Sequence, residues 1–411
     1  MTVLVTCGHT RAGLATVRGL GHAGVAVAVG APMRPALAMW SRYATTTVLL
    51  PDAAAEARRF AATVAEELVG RQAVGAFAAT DAAIWALSRF RAALPESALA
   101  FLPPHDAVVF ALDRSALRDR ARALGVAAVP TWRIDTGADV EPVLLRLQRE
   151  VATADGRLSA LVRPIVPAIE REDGTRRVAA AIPVESIGAT RRLLYEREDL
   201  VDSGCIIELR PPGDYLGYGA VCDRGEVVAE VFQERLRERD DLSGVSTLAR
   251  TIPVDEAMRH AGRTLLRGLN YHGPCLIEFT RGSDGVVRLV NLMPRLWGSL
   301  GLAIRAGLDV PWLMLRVARG DAVPGAVARP GVVWRWVVGD VEVLAQRFGR
   351  LLSRVEGRGV IRRRAEGLRE LFDIGDIWRS HADVFDLDDP LPSTLEIKQR
   401  LEEVRATRTP P

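Results

Sequence analysis

Gly273-Pro-Cys-Leu-Ile-Glu-Phe279, then the polar turn Arg281-Gly-Ser-Asp-Gly285, then a run ending Asn291-Leu-Met-Pro-Arg-Leu-Trp-Gly-Ser299: this stretch decides how the chain is read. Its two apolar runs, Leu276–Thr280 and Val286–Leu292, flank a glycine-containing turn, the pattern of an antiparallel hairpin. Glu278 lies in the middle of the first run, where a carboxylate is costly to bury without a partner. Side chains alternate along a strand, so Asn291 and Met293 share a face, and that face is a candidate to hold Glu278. A carboxylate beside an amide oxygen suits a hard, oxygen-seeking cation such as magnesium. The competing reading pairs Glu278 with a nearby arginine such as Arg295.

Working outward, two more hairpin signals precede this one, at Asp173-Gly174 and at Asp223-Arg-Gly225 between Gly219–Cys222 and Glu226–Gln233. A strand at Cys205–Leu209 is interrupted by Arg210-Pro-Pro-Gly213. Glu256–Leu269 predicts a helix with Ala257, Ala261, Leu265 and Leu269 on its apolar stripe. The middle of the chain is therefore α+β with antiparallel strands. The first 110 or so residues read differently. Strand-like Thr2–Cys7, Val25–Val29, Thr46–Leu50 and Ala73–Ala79 alternate with helical Ala12–Ala23, Asp52–Leu68 and Asp81–Leu94, which argues for a Rossmann-type parallel unit. Its loop Gly8-His-Thr-Arg-Ala-Gly13 stands where such folds bind ligands, but it matches neither GxGxxG nor a Walker A loop; a plain strand-to-helix turn and a ligand-contacting loop both fit it. Pro, Gly and Ala accumulate from Pro324 to Pro330, which suggests a linker, followed by a strand at Val332–Val338 with Trp334 and Trp336 on one face. Beyond it come basic helices that include Arg362-Arg-Arg364, read as a solvated face.

Composition excludes several classes. Of 54 basic side chains in 411 residues, Lys398 is the single lysine and the rest are arginine, against 51 acidic residues. A net charge of +3 with no dense basic tail does not point to nucleic acid. No long uncharged apolar run suggests a membrane span, and the apolar content of 48% is ample for sizeable cores. Cys7, Cys205, Cys222 and Cys275 are scattered without metal-binding spacing, so they read as small core residues in a reduced, cytoplasmic protein.

Taken in order, the motifs resemble the ATP-grasp superfamily, in its carboxylate–amine ligase-like branch, over nearly the whole chain. The family's second metal motif usually reads Glu-x-Asn-Pro-Arg-Phe-Trp-Gly-Ser, and here Asn291-Leu-Met-Pro-Arg-Leu-Trp-Gly-Ser299 stands in its place. Asp113-Arg114 stands where the family has Asp-Lys, and Leu161-Val-Arg-Pro164 where it has Val-Lys-Pro. Ile207-Glu-Leu-Arg-Pro-Pro-Gly213 resembles its hinge, and Gln233-Glu-Arg-Leu-Arg-Glu238 followed by Gly244-Val-Ser-Thr247 resembles its Arg-Leu-Arg-Glu segment and serine loop. The resemblance implies a Rossmann-like pre-ATP-grasp domain (residues 1–112), two ATP-grasp halves (113–203 and 204–323) and a C-terminal extension (324–411).

It also implies ATP and Mg2+ as cofactors. Arg114 and Arg163 would take the places of two phosphate-contacting lysines; Glu208 and Leu209 would contact adenine, and Asp214 the ribose. Glu278 would hold magnesium, with Asn291 and Met293 at the other two ligand places, and Arg235 and Arg295 would face the phosphates or the substrate carboxylate. The reaction implied is ATP-dependent ligation of a small carboxylate, an amino acid or peptide, to an amine through an acyl phosphate; the oligomeric state is left open, a homodimer being only the common default among proteins. Lys→Arg keeps the charge but exchanges a point charge for a planar fork. Met293 offers a thioether poorly matched to magnesium, and Asn291 offers no charge, so one charged ligand stands where two are expected. The second reading is accordingly a catalytically degenerate nucleotide-binding or partner subunit.

Overall fold

The computed structural model describes residues 1–150, 157–165, 168–170, 176–178, 181–210, 213–239, 245–353 and 380–408. Strands β1 (Thr2–Val5), β2 (Ala26–Ala31), β3 (Ala44–Leu49) and β4 (Ala73–Phe77) form a parallel sheet in the order β3-β2-β1-β4. Helices Arg11–His22, Ala57–Gly70 and Asp81–Arg89 connect and follow these strands, the alternation expected. Two of them begin on threonine caps at the carboxyl ends of neighbouring strands. Thr10 accepts from the Gly13 amide (2.9 Å) after β1, and Thr80 from the Ala83 amide (3.2 Å) after β4. A Cβ at Gly13 would lie on the Cys7 carbonyl, so the turn requires glycine there.

The next unit holds β5 (Thr131–Ile134), β6 (Arg157–Pro164), the paired β7 (Ala168–Glu170) and β8 (Arg176–Val178), β9 (Ile182–Ser186) and β10 (Cys205–Leu209). The hairpin turn expected at Asp173-Gly174 lies outside the described residues, although the two strands on either side of it do pair. The main sheet of this unit is antiparallel, in the order β5-β10-β6-β9, over a core of Trp132, Ile134, Leu144, Val162 and Ile207.

The largest sheet contains β11 (Asp214–Asp223), β12 (Glu226–Glu238), β13 (Ser246–Thr251), β14 (Gly273–Arg281), β15 (Val287–Met293), β16 (Ala326–Val327), β17 (Val333–Arg335) and β18 (His381–Ala382). Its order is β15-β14-β11-β12-β13-β17-β18, with β16 also paired to β12. One face buries Tyr218, Phe232, Ile277, Phe279 and Leu289 with Met258, Leu265 and Leu266 from the helix Glu256–Gly268. On the other, Val231, Leu276 and Trp297 join the core of the N-terminal unit.

Three expectations are corrected here. The buried stripe of the helix Glu256–Gly268 is Met258, Gly262, Leu265 and Leu266: of the expected stripe, Leu265 is buried, Ala261 and Leu269 pack at its edge, and Ala257 is exposed. The Tyr218 ring packs on the helix at Gly262, where a Cβ would come within 2.5 Å of it, and Ala257 is left on the exposed side. The stretch from Pro324 to Pro330 is not a free linker, because Ala326–Val327 pairs with β12 and the Ala328 amide donates to the Glu230 carbonyl (3.0 Å). The strand expected through Val338 ends at Arg335, and a helix begins at Val337. The basic run at residues 362–364 lies outside the described residues. The chain after it returns to the N-terminal unit. Buried Arg18 donates to the Asp389 carboxylate (2.9 Å) and the Val384 carbonyl (3.0 Å), and Ser41 donates to Asp389 (2.7 Å).

Candidate active site

A cavity of roughly 600 Å3 opens where the three units meet. The loops after β1 and β4 supply His9, Thr10, Arg11 and Asp81; the β6–β10 sheet supplies Arg163, Glu208 and Leu209; the large sheet supplies Arg235, Glu278, Asn291 and Met293. Strand register explains the last group. Glu278 lies directly across from Asn291, and Leu276 from Met293, so one face of the β14–β15 hairpin carries all of them toward the cavity. Gly217 stands opposite Glu278 on β11, and Arg235 arrives from β12.

Glu278 is paired, though not with Arg295. Its Oε1 accepts from the Arg235 guanidinium, and its Oε2 accepts from the Asn291 amide nitrogen (3.2 Å). Arg295 instead donates to Asp81 (2.5 Å), which ties the segment after β15 to the N-terminal unit. The oxygen of Asn291 faces Arg114 (3.4 Å). Arg235 also contacts Glu238 (3.3 Å) and Ser246 (3.0 Å), while Arg210 reaches Glu238 (3.5 Å) and the Tyr215 hydroxyl (3.0 Å).

Glu208 lies under the hinge as a buried counter-ion. Arg118 binds one of its oxygens and also donates to the Val290 carbonyl (2.9 Å), and Arg163 stands 3.3 Å from the other oxygen. Burial alone would raise the Glu208 carboxyl, but the charges of Arg118, Arg163 and Arg114 outweigh it and hold the group below its ordinary value. Burial lowers Arg163 to about 10, so it remains charged at neutral pH. The Leu209 amide donates to the Pro130 carbonyl (3.0 Å) and the Arg210 amide to the Ser159 carbonyl (2.8 Å). Both amides are thus taken up by backbone carbonyls.

Of the residues expected at the site, Arg114, Arg163, Glu208, Leu209, Arg235, Glu278, Asn291, Met293 and Arg295 line this one cavity. Asp214 does not. It is exposed at the start of β11, opposite Arg281. The loop Gly8–Gly13 does contribute to the lining, which favours the ligand-contacting reading of that loop. Arg118 was legible one helical turn beyond Arg114, on the same face. Nothing in the sequence marked Trp336 or Glu396 as cavity residues, yet they close its far end from the C-terminal segment. There Trp336 donates to Glu396 (2.7 Å), the Arg11 guanidinium lies 4.1 Å from the Trp336 ring centre, and Arg11 pairs with Asp383 (2.8 Å).

The donor set does not fit a protein-held magnesium ion. Among the described residues no group of three acidic, histidine or cysteine side chains is placed to hold a metal ion. Glu278 is the lone carboxylate of the expected triad, and both its oxygens already accept hydrogen bonds.

No protein-family model matches the sequence, and no curated protein matches it. Solved structures do match its fold. A biotin carboxylase–β,γ-ATP complex from Campylobacter jejuni superposes with a TM-score of 0.60 at 14% identity, over 79% of this chain and 72% of that one. N5-carboxyaminoimidazole ribonucleotide synthetase from Thermus thermophilus gives 0.57 at 19% identity, over 81% of each chain. An L-amino acid ligase from Bacillus licheniformis gives 0.56 at 14% identity, over 77% and 73%. The three-unit order, the antiparallel halves facing one cavity and these superpositions lead to one conclusion: the chain has the ATP-grasp fold.

Proposed function

We propose that the protein is an ATP-dependent carboxylate–amine ligase that forms an amide or peptide bond through an acyl phosphate. The observation that supports this most is convergence: arginines from separate elements, Arg114, Arg163, Arg235 and Arg295, face one cavity in the same fold as ligases and carboxylases of this kind. In the reaction, a carboxylate oxygen of the substrate attacks the γ-phosphorus of ATP and ADP leaves. The amine nitrogen then attacks the acyl carbon, phosphate leaves, and the amine gives up a proton. Arg114 and Arg163 would hold the phosphates from one wall and Arg235 from the other, neutralising charge that spreads over the transferring group. Arg295, fixed by Asp81, would hold a substrate carboxylate. Glu208 and Leu209 mark the adenine end. Asp214 would meet the ribose only if the clasp closes further. The substrates are small carboxylates and amines, amino acids foremost, and the four buried free cysteines suit a reducing cytoplasm.

A second reading has its own observation: with Asn291 and Met293 in metal-ligand places, the protein would bind nucleotide as a non-catalytic or partner subunit. ADP release over a panel of amino acids, with calorimetry of ATP binding, separates the two. Amino-acid-dependent ADP release is the expected result. Binding without turnover on any substrate selects the second reading, and no binding at millimolar ATP defeats both.

A further inference from the structure

We propose that the clasp binds its nucleotide without a divalent cation held by the protein, because the Arg235 guanidinium occupies the place on Glu278 that a metal would take. The inference rests on the nucleotide-binding reading above.

Four observations carry it. Arg235 reaches Glu278 from β12, across β11, and is itself steadied by Ser246 and Glu238, so the guanidinium is built in and not a passing contact. Asn291 presents its amide nitrogen, a donor, to the second oxygen of Glu278, and turns its oxygen to Arg114. An Asn in that orientation satisfies the carboxylate and offers nothing to a cation between them. Met293, directly across from Leu276, puts a thioether into the cavity wall, where a hard cation finds no useful ligand. Finally, Arg114 makes no direct carboxylate contact among the described residues and shares the charge of Glu208 only at longer range with Arg118 and Arg163, so the same patch keeps an added positive charge next to the expected metal place. A cation entering between Glu278 and Asn291 would meet two guanidinium groups. A polyphosphate arriving there meets the donors it needs.

Physical consequences follow for the nucleotide form. Magnesium on ATP removes part of its negative charge, so a pocket that relies on arginine should favour the free nucleotide or be indifferent to the metal.

The test is calorimetry of the full chain with ATP in EDTA and in magnesium, with a manganese titration of the protein alone. The expected dissociation constants agree within about threefold in the two ATP titrations, and manganese alone shows no binding below about 1 mM. Arg235→Met is expected to weaken ATP binding in EDTA by about tenfold or more, with magnesium recovering part of the loss; its melting curve checks that it folds. Asn291→Glu with Met293→Asn is expected to gain manganese binding, which locates the lost site. ATP binding that weakens tenfold or more in EDTA, or micromolar manganese binding to the unaltered protein, overturns the proposal while leaving the nucleotide reading intact. An absence of ATP binding in both conditions overturns the nucleotide reading itself.

Discussion

At the scale of single residues, the molecule is governed by where its arginines find carboxylates. Arg118 and Glu208 have side-chain exposures of 1% and 3%, so their charges are compensated almost wholly by each other and by Arg163. Removing one member of such a pair leaves the other charged and desolvated. Glu208→Gln should therefore destabilise the protein by about 3–5 kcal/mol in urea unfolding. The pH sign is set by the direction of the shift. Glu208 is held below its ordinary value when folded, so its contribution is present at neutral pH and is lost as pH falls through the folded value. Glu278 could be singled out in the sequence because a carboxylate inside an apolar strand needs a partner. Which partner was not legible: Arg235 and Arg295 both belong to motifs of the same site, and only the strand order places one on Glu278 and the other on Asp81.

At the scale of elements, hairpins and helices followed from turn chemistry and periodicity, but their facing did not always. The helix Glu256–Gly268 was legible as a helix, yet its buried stripe packs at Gly262 on Tyr218, a residue on another element. Gly262→Leu should push that ring or the helix aside and cost about 1–3 kcal/mol, read as a drop in melting temperature. Ala257→Leu, on the exposed side, should change stability little. The hairpin β14–β15 was legible as a hairpin, but its register was not. Plain alternation from the turn would set Val290 opposite Glu278, and a bulge between Glu278 and Phe279 is what brings Asn291 across from it.

At the scale of the whole molecule, the C-terminal segment closes the far end of the cavity. Glu396 accepts from Trp336, and its other oxygen is buried without a hydrogen-bond partner. Burial raises this carboxyl from 4.5 to about 7, helped by Asp383 and opposed by Trp336, Arg11 and Arg18. His9 and Gln399 also line this end, and burial lowers the His9 imidazole. A carboxyl whose folded value is raised stabilises the fold below its unfolded value and loses that contribution as pH rises through the folded one. The protein should therefore lose on the order of 2 kcal/mol relative to Glu396→Gln between about pH 4.5 and 7, measured by denaturant titration across that window.

The order of units, the hairpin that carries Glu278 and the chemistry available at each place are written in the residue order, because turns, alternation and residue type are local properties. That includes the departure at Met293, whose thioether is a poor magnesium ligand wherever the chain puts it. Which arginine meets which carboxylate, that Asp214 stands outside the cavity, and that Trp336 and Glu396 close it were settled by the folded arrangement alone. Those are contacts between residues far apart in the chain, brought together by sheet order and by the return of the C-terminal segment to Arg18 and Ser41, and no local pattern encodes them.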